Sequence, residues 1–147
     1  MRAKMDVKVK VVDPTAYLPK YESEGAACFD FRAIEAGPVP VGNSAMFGTG
    51  LSFEIPDGHV MLIFSRSGHG FKNGIRLANC TGIIDSDYRG ELKIKLHNDN
   101  IEPFFVNVGD RIAQGMIVPI PQINFVEVQK LSDSERGEKG FGSTGAQ

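Results

Sequence analysis

Two carboxylates in the stretch 79-NCTGIIDSDYRGELKIKL-96 have the type and spacing of residues that handle a water molecule. Asp85 and Asp87 lie two residues apart, directly after an apolar pair. Aspartate is also common in turns, because its side chain binds nearby backbone amides. The pattern therefore leaves two interpretations open. One is a plain acidic turn between strands, and the second is a carboxylate beside a reactive water, with Tyr88 as an aromatic face for a sugar.

Two glycine-rich stretches have the composition of anion sites. The stretch 66-RSGHGFKNG-74 combines an arginine with small residues whose amides suit phosphate at a loop or helix start. The tail 136-RGEKGFGSTG-145 adds hydroxyl residues and Phe141, which could stack on a base. Taken alone, each stretch also fits an exposed loop or a frayed terminus. The sequence contains no P-loop motif.

Polar residues also interrupt two apolar segments. Asp30 lies between aromatic residues in 25-GAACFDFRA-33, and such a carboxylate needs a partner, which we expect to be an arginine. In 109-GDRIAQG-115 we expect Asp110 to pair with Arg111. Gln114 then remains as a polar side chain inside an apolar run.

The elements that must position these residues are predicted to be strands. Apolar residues alternate at Val7, Val9, Val11 and at Leu92, Ile94, Leu96, and short apolar runs cover 59–64, 112–120 and 123–128. Turn residues separate these segments, which is typical of an all-β sandwich or barrel. One short helix fits near residues 66–74, with Ser67 as its N-cap.

The composition restricts the class of protein. A chain of 147 residues with 41% hydrophobic and 23% charged residues suits one globular domain. The net charge of -2 does not favour a nucleic-acid partner. Residues 132–147 are too polar and glycine-rich to fold by themselves, so we expect a β-rich domain at 1–131 and a flexible arm at 132–147.

The location is also predicted from the sequence. The first residues lack the apolar core of a signal peptide, and no stretch approaches the roughly 20 apolar residues of a membrane span. Cys28 and Cys80 form no CxxC motif, which favours a reduced, cytoplasmic chain. The three histidines are isolated from one another, so a histidine metal site is not expected.

The order of the five segments GAACFDFRA, RSG, GIIDSDYRGE, GDRIAQ and RGEKGFGSTG closely resembles the motifs of the trimeric deoxyuridine triphosphatases, the dUTPases. The resemblance spans residues 25–145. It implies a jelly-roll-like β-barrel subunit and a homotrimer with active sites between subunits, each closed by a C-terminal arm. It also implies Mg²⁺-assisted hydrolysis of dUTP to dUMP and pyrophosphate, which limits uracil in DNA and supplies dUMP for dTTP synthesis.

The resemblance assigns the reaction and the nucleoside contacts. Asp85 would be catalytic, activating the water that attacks the α-phosphorus, while Asp87 would be structural. Tyr88 would pack against the deoxyribose, and Asn79 would read uracil with nearby backbone groups. The full set implied for substrate binding is Arg66, Ser67, Gly68, Asn79, Gly82, Ile84, Tyr88, Gln114, Arg136, Phe141, Gly142, Ser143 and Thr144.

The resemblance also assigns the phosphate contacts. Residues 66–68 would hold phosphates, with Gln114 near the α-phosphate. The arm would add Arg136 and two hydroxyl residues at the terminal phosphates, and Phe141 would stack on uracil. Mg²⁺ would be held mainly by the triphosphate and by waters, with Asp30 in support through water or through an arginine.

The sequence departs from the family pattern at three positions. Ser65 replaces the usual proline, Cys28 a glycine, and Lys139 a glycine of the arm. A dCTP deaminase shares the fold, but Lys95 occupies the place of its catalytic glutamate. Two further functions remain compatible with the sequence, namely a dUTP-sensing regulator with a protein partner and a plain β-sandwich binding module.

Overall fold

The computed structural model describes residues 4–140 of the chain. Within that range the chain forms strands and one short helix, α1, at Ser67–Asn73. The strands are β1 Lys8–Val11, β2 Phe29–Arg32, β3 Gly37–Val39, β4 Ser44–Gly48, β5 Leu51–Glu54, β6 His59–Phe64, β7 Ile75–Leu77, β8 Thr81–Ile84, β9 Lys93–Asn98, β10 Phe104–Val106 and β11 Arg111–Pro119. The prediction of an all-β, jelly-roll-like subunit with one short helix is confirmed.

The strands of the described range pair antiparallel. The largest sheet has the order β2-β11-β6-β8, a second sheet has the order β4-β9-β7, and β1-β5 and β10-β3 form two-stranded sheets. One hydrophobic core lies between them, with Phe31 and Ile63 from the largest sheet and Phe47 and Leu96 from the second. Each such buried side chain contributes about 1.5–3 kcal/mol of transfer free energy.

Alternation correctly predicts which side chains of β9 are buried. Ile94 and Leu96 are 2% and 1% exposed, whereas Lys93 and Lys95 point to solvent. The apolar run at 59–64 coincides with β6. In both strands the period of two places one set of side chains against the core.

The predicted strand at 123–128 is not a strand in this chain. The β11 strand ends at Pro119, and residues 119–140 are all exposed, including Phe125 at 92%. Ile120 N–H donates to the Gly58 carbonyl, and within the described range residues 121–133 make no further backbone hydrogen bond. Alternation describes which faces a strand would have, but a strand also needs a hydrogen-bonding partner.

The helix starts one residue earlier than predicted. Arg66 occupies the N-cap position and makes no side-chain capping bond, while Ser67 is the first helical residue. Gly74 ends the helix with a left-handed φ of 61° and donates its N–H to the His69 carbonyl. Glycine suits this position because a Cβ would be strained there. No helix within residues 4–140 is long and apolar enough to cross a membrane.

Candidate active site

The largest sheet brings Asp30 and Gln114 together. Asp30 of β2 lies opposite Gln114 of β11, and Gln114 lies opposite Phe64 of β6. Opposite residues of antiparallel strands project from the same face of a sheet. The loop that follows Phe64 therefore begins beside both polar side chains, and this loop leads into α1.

Two arginines bind the carboxylate of Asp30. Arg111 Nη1 lies 3.1 Å from Oδ2, and Arg66 Nε lies 3.5 Å from Oδ1. The Asp30 side chain is only 12% exposed. The prediction that this strand aspartate pairs with an arginine is confirmed. Neither arginine follows from local spacing, since Arg111 lies 81 residues away in sequence.

The predicted pair between Asp110 and Arg111 is wrong. Asp110 Oδ2 instead accepts a hydrogen bond from the Asn107 backbone N–H at 2.8 Å. Arg111 points to Asp30 and also lies 3.7 Å from Glu22 Oε2. Arg111 is the first residue of β11, and its side chain reaches Asp30 of the neighbouring strand β2 rather than the preceding residue.

Hydrogen bonds fix the loop between β6 and α1. Gln114 Nε2 donates to the Ser65 carbonyl at 2.9 Å, and Arg66 Nη1 donates to the Arg111 carbonyl at 3.1 Å. The Ser65 hydroxyl accepts the Leu77 backbone N–H at 2.9 Å, which no proline side chain could do. In the sequence Ser65 is only a departure from the family pattern. In the structure, the Ser65 hydroxyl connects this loop to the backbone of β7.

An open cleft of about 360 Å³ lies at this loop. It is lined by Ser65, Arg66, Ser67, Gly70, Phe71 and Gln114. Gly68 is exposed on α1, with no atom within 4 Å of where a Cβ would be. The arginine, the hydroxyl, the amide and the bare backbone have the chemistry to bind an anion. We call this surface the phosphate cleft.

Two titratable groups lie near residues described above: His69 belongs to α1, and Cys28 precedes Asp30 by two residues. The Nδ1 atom of His69 is buried and has no hydrogen-bond partner within the described residues. Burial lowers the pKa of this imidazole, and the positive charge of Arg66 lowers it further. Burial raises the pKa of the Cys28 thiol, with the negative charge of Asp30 adding to the effect. In both cases the surroundings favour the neutral form of the group.

The second group of predicted residues follows the turn between β7 and β8. Cys80 adopts a left-handed φ of 64° there, and Thr81 N–H donates to the Asn79 carbonyl at 2.7 Å. A Cβ on Gly82 would lie 3.0 Å from the Ile63 Cβ, so a larger residue would not fit without a shift. Asn79, Gly82 and Ile84 line one groove, where amide and backbone groups are available to a planar ligand.

Asp85 and Tyr88 lie in the turn after β8. The Tyr88 N–H donates to the Asp85 carbonyl at 3.2 Å, so the interpretation as a turn is confirmed. The Asp85 carboxylate is exposed and has no hydrogen-bond or ion-pair partner among residues 4–140. Both residues line an open cleft of about 570 Å³, which we call the nucleoside cleft. A turn at these residues is therefore compatible with a carboxylate that binds a water molecule.

The phosphate cleft and the nucleoside cleft share no lining residue. The chain therefore brings the predicted residues together as two groups rather than one. Arg136 belongs to neither group, because it is exposed and its Nε donates to the Lys139 carbonyl at 2.8 Å. Phe141, Gly142, Ser143 and Thr144 lie outside the described residues.

Comparison with known proteins places this arrangement in a family. The family model described as dUTPase matches residues 15–145. The deoxyuridine 5'-triphosphate nucleotidohydrolase of Nautilia profundicola is 46% identical over 141 residues, covering 96% of this chain and 99% of that protein. The corresponding protein of Helicobacter hepaticus is 43% identical, covering 99% of this chain and 92% of its own length.

Solved structures agree with these relatives. The Staphylococcus bacteriophage 80alpha dUTPase with dUpNHpp has a TM-score of 0.88 and 30% identity, covering 97% of this chain and 99% of that chain. A mutant dUTPase from phage phi11 of S. aureus, whose structure shows the coordination of a structural Mg(II) ion, has a TM-score of 0.79 and 26% identity, covering 86% and 98%. From the match over residues 15–145 and the similarity of these relatives, the chain belongs to the dUTPase family.

Proposed function

We propose that this protein is a dUTP diphosphatase, which hydrolyses dUTP to dUMP and pyrophosphate. The main support is the unpaired carboxylate of Asp85 beside Tyr88 in the nucleoside cleft of a dUTPase chain. The relatives from Nautilia profundicola and Helicobacter hepaticus are named as nucleotidohydrolases of deoxyuridine 5'-triphosphate. This activity limits uracil in DNA and supplies dUMP for dTTP synthesis.

Asp85 is the proposed catalytic base. A general base needs free lone pairs within reach of the water proton, and the exposed Asp85 carboxylate has them. The Asp30 carboxylate already binds two arginines, so it is suited to orienting them. The contrast between a free and a paired carboxylate favours Asp85 over Asp30 as the base. Attack at the α-phosphorus then releases pyrophosphate as one unit.

The groove at Asn79, Gly82 and Ile84 is the proposed uracil site. A site whose donors and acceptors match uracil leaves buried groups unpaired with cytosine, and unpaired buried groups cost about 1–3 kcal/mol each. The methyl group of thymine is excluded on steric grounds. Tyr88 then packs against the deoxyribose and leaves no room for a 2′-hydroxyl.

The phosphate cleft is the proposed triphosphate site. Arg66, Ser67 and Gly68 offer a charge, a hydroxyl and backbone amides, and Gln114 lies beside them for the α-phosphate. We further propose that residues 1–131 form the domain and that residues 132–147 form an arm closing the site. The arm would contribute Arg136 and Phe141 together with Gly142, Ser143 and Thr144.

Mg²⁺ is the proposed cofactor and would arrive mainly with the substrate. Within residues 4–140, no cluster of three or more His, Cys, Asp or Glu side chains could hold a metal ion. Mg²⁺ generally keeps several waters and binds substrate phosphates rather than an all-protein cage. When bound, the ion neutralises triphosphate charge. Asp30 supports the site through Arg66 and Arg111.

A homotrimer with sites between subunits is the proposed assembly. A triphosphate nucleotide needs both clefts, and within one chain these two clefts share no lining residue. The segment 120–131 also leaves Ile123, Phe125 and Val126 exposed at 61%, 92% and 73%. Large apolar side chains in a row are typical of a surface that another chain covers. A neighbouring subunit would cover this segment and complete each site.

The remaining sequence predictions concern location and other partners. A cytoplasmic location is supported by Cys28 and Cys80, which are both free thiols. The absence of a nucleic-acid partner stays a prediction from the net charge. The phage 80alpha dUTPase is described as controlling transfer of virulence genes. A regulatory protein partner for this chain likewise stays a prediction.

Pyrophosphate release is the test of this function. The wild type, Asp85→Asn and Asp87→Asn are compared with dUTP, dCTP, dTTP and UTP in the presence of Mg²⁺. We expect release from dUTP alone, lost in Asp85→Asn and retained in Asp87→Asn, whose carboxylate has a structural assignment. Ammonia release from dCTP would favour a deaminase, although Lys95 is exposed at the place of its glutamate. Binding of dUTP without turnover by the wild type would favour a sensor.

A further inference from the structure

The ring of Tyr88 is held by its own turn rather than by the core. The side chain is 45% exposed, and its hydroxyl donates to the Glu91 carbonyl at 3.0 Å. The ring also folds over Gly90: a Cβ there would lie 2.6 Å from Tyr88 Cζ and 2.9 Å from Cε2. Real Cβ atoms do not approach so closely, so any side chain at position 90 would displace the ring.

The acceptor of the Tyr88 hydroxyl is itself tied to the β4–β5 turn. Glu91 Oε1 accepts the Gly50 N–H at 3.0 Å. The next residue, Leu92, donates its N–H to the Leu51 carbonyl at 2.8 Å and accepts the Thr49 hydroxyl at 2.6 Å. Thr49 and Leu51 are 0% and 1% exposed, so this turn belongs to the buried part of the molecule.

These contacts form one connected path. Buried backbone at residues 49–51 holds residues 91–92, and the Glu91 carbonyl then fixes the phenol of Tyr88. Gly90 leaves open the space that the ring occupies. A surface ring with no such anchor would move among rotamers. A side chain that distinguishes a hydrogen from a hydroxyl at one sugar carbon must be positioned to well under about 1 Å.

We propose that Gly90 and Glu91 are positioning residues that fix Tyr88 and thereby set discrimination between deoxyribose and ribose. This inference rests on the proposed function, because it takes Tyr88 as the contact of the sugar. Glu91 acts through two different groups. Its carboxylate anchors the turn, and its carbonyl holds the tyrosine.

The test compares hydrolysis of dUTP and UTP by the wild type, Gly90→Ala, Glu91→Ala, Glu91→Gln and Tyr88→Phe. The readout is the ratio of kcat/KM for dUTP to kcat/KM for UTP. We expect Gly90→Ala, Glu91→Ala and Tyr88→Phe to lower this ratio by roughly tenfold, the effect of losing one modest contact. Glu91→Gln keeps an oxygen for the Gly50 N–H, so it should restore most of the ratio.

A merely structural role would give a different pattern. If the variants lose activity on both nucleotides equally and keep the wild-type ratio, the proposal is overturned. Tyr88→Phe keeps the ring and adds no bulk, so it tests the hydroxyl contact even if Gly90→Ala does not fold. An unchanged ratio in Tyr88→Phe and Glu91→Ala would also overturn the proposal.

Binding measurements separate this inference from the proposed function. Dissociation constants for dUpNHpp and its ribose counterpart are measured with the same variants. If the wild type hydrolyses nothing but its preference for dUpNHpp falls in the variants, the proposed function fails and the positioning roles stand. If the wild type hydrolyses dUTP and the variants retain its preference in both assays, the positioning roles fail alone. A wild type without any sugar preference contradicts both.

Discussion

Replacing Asp30 with asparagine should destabilise the protein far more than replacing an exposed acid, even an acid whose ion pair is shorter. Asp30 lies 3.1 Å from Arg111 and 3.5 Å from Arg66, with side chains that are 12%, 35% and 22% exposed. Asparagine keeps the shape and one acceptor oxygen but removes the charge. Both arginines are then left beside a neutral group in a partly buried place.

The size of the expected loss in stability follows from the burial of the ion pair and not from the distance between its atoms. Removing one member of a buried ion pair costs about 3–5 kcal/mol. Because Arg111 is about one-third exposed, water screens part of the interaction, and we expect Asp30→Asn to lower the free energy of unfolding by about 2 kcal/mol. The control is Glu54→Gln, which breaks the 2.8 Å pair with Lys8, where the side chains are 48% and 79% exposed. We expect no measurable change from it.

Urea denaturation at fixed protein concentration measures both variants against the wild type. A loss of stability should appear as a lower midpoint with an unchanged slope. Equal losses in Asp30→Asn and Glu54→Gln, or no loss in Asp30→Asn, would refute the argument that burial decides the contribution of these ion pairs.

Two further outcomes follow from the site. Because the folded-state pKa of His69 is lowered from 6.5, the unfolded chain takes up the proton first as pH falls below that value, and stability declines there. His69→Leu, which cannot take up this proton, should lose less free energy of unfolding between pH 7.5 and 5.5 than the wild type does; equal losses in the two sets of denaturation curves would contradict this. Co-refolding equal amounts of inactive Asp85→Asn and Arg66→Ala chains should restore about a quarter of wild-type activity if each site combines two subunits. No recovery would mean that one chain supplies both residues.

Local sequence patterns predicted the strands well where one face of the strand lies on the core and the opposite face is in solvent. Leu92, Ile94 and Leu96 alternate and are all buried, as the period of two requires. Val11 belongs to the same kind of pattern but is 51% exposed at the last position of β1. Segment 123–128 has strand composition without a partner among the described residues. Pairing depends on other segments, which alternation does not encode.

The site was predictable as a set of residues but not as an arrangement. The five motifs led to the dUTPase family, which the family match confirms. The need for an arginine beside Asp30 followed from the cost of burying a charge. Its identity as Arg66 and Arg111 required the sheet register, and the contact between Glu91 and Gly50 required the fold. Long-range contacts of this kind leave no trace in local spacing.

The exposed segment 120–131 also has a consequence for the newly made chain. Unpaired backbone flanked by large apolar side chains is a template for aggregation, because another extended chain can pair with it. Pro119 and Pro121 have no N–H to donate, and Glu127 and Lys130 add charge. These residues act as gatekeepers that hinder indiscriminate stacking. If the proposed trimer covers this segment, yield in the cell should depend on how quickly newly made chains assemble, and substitutions that remove the gatekeepers should increase the insoluble fraction.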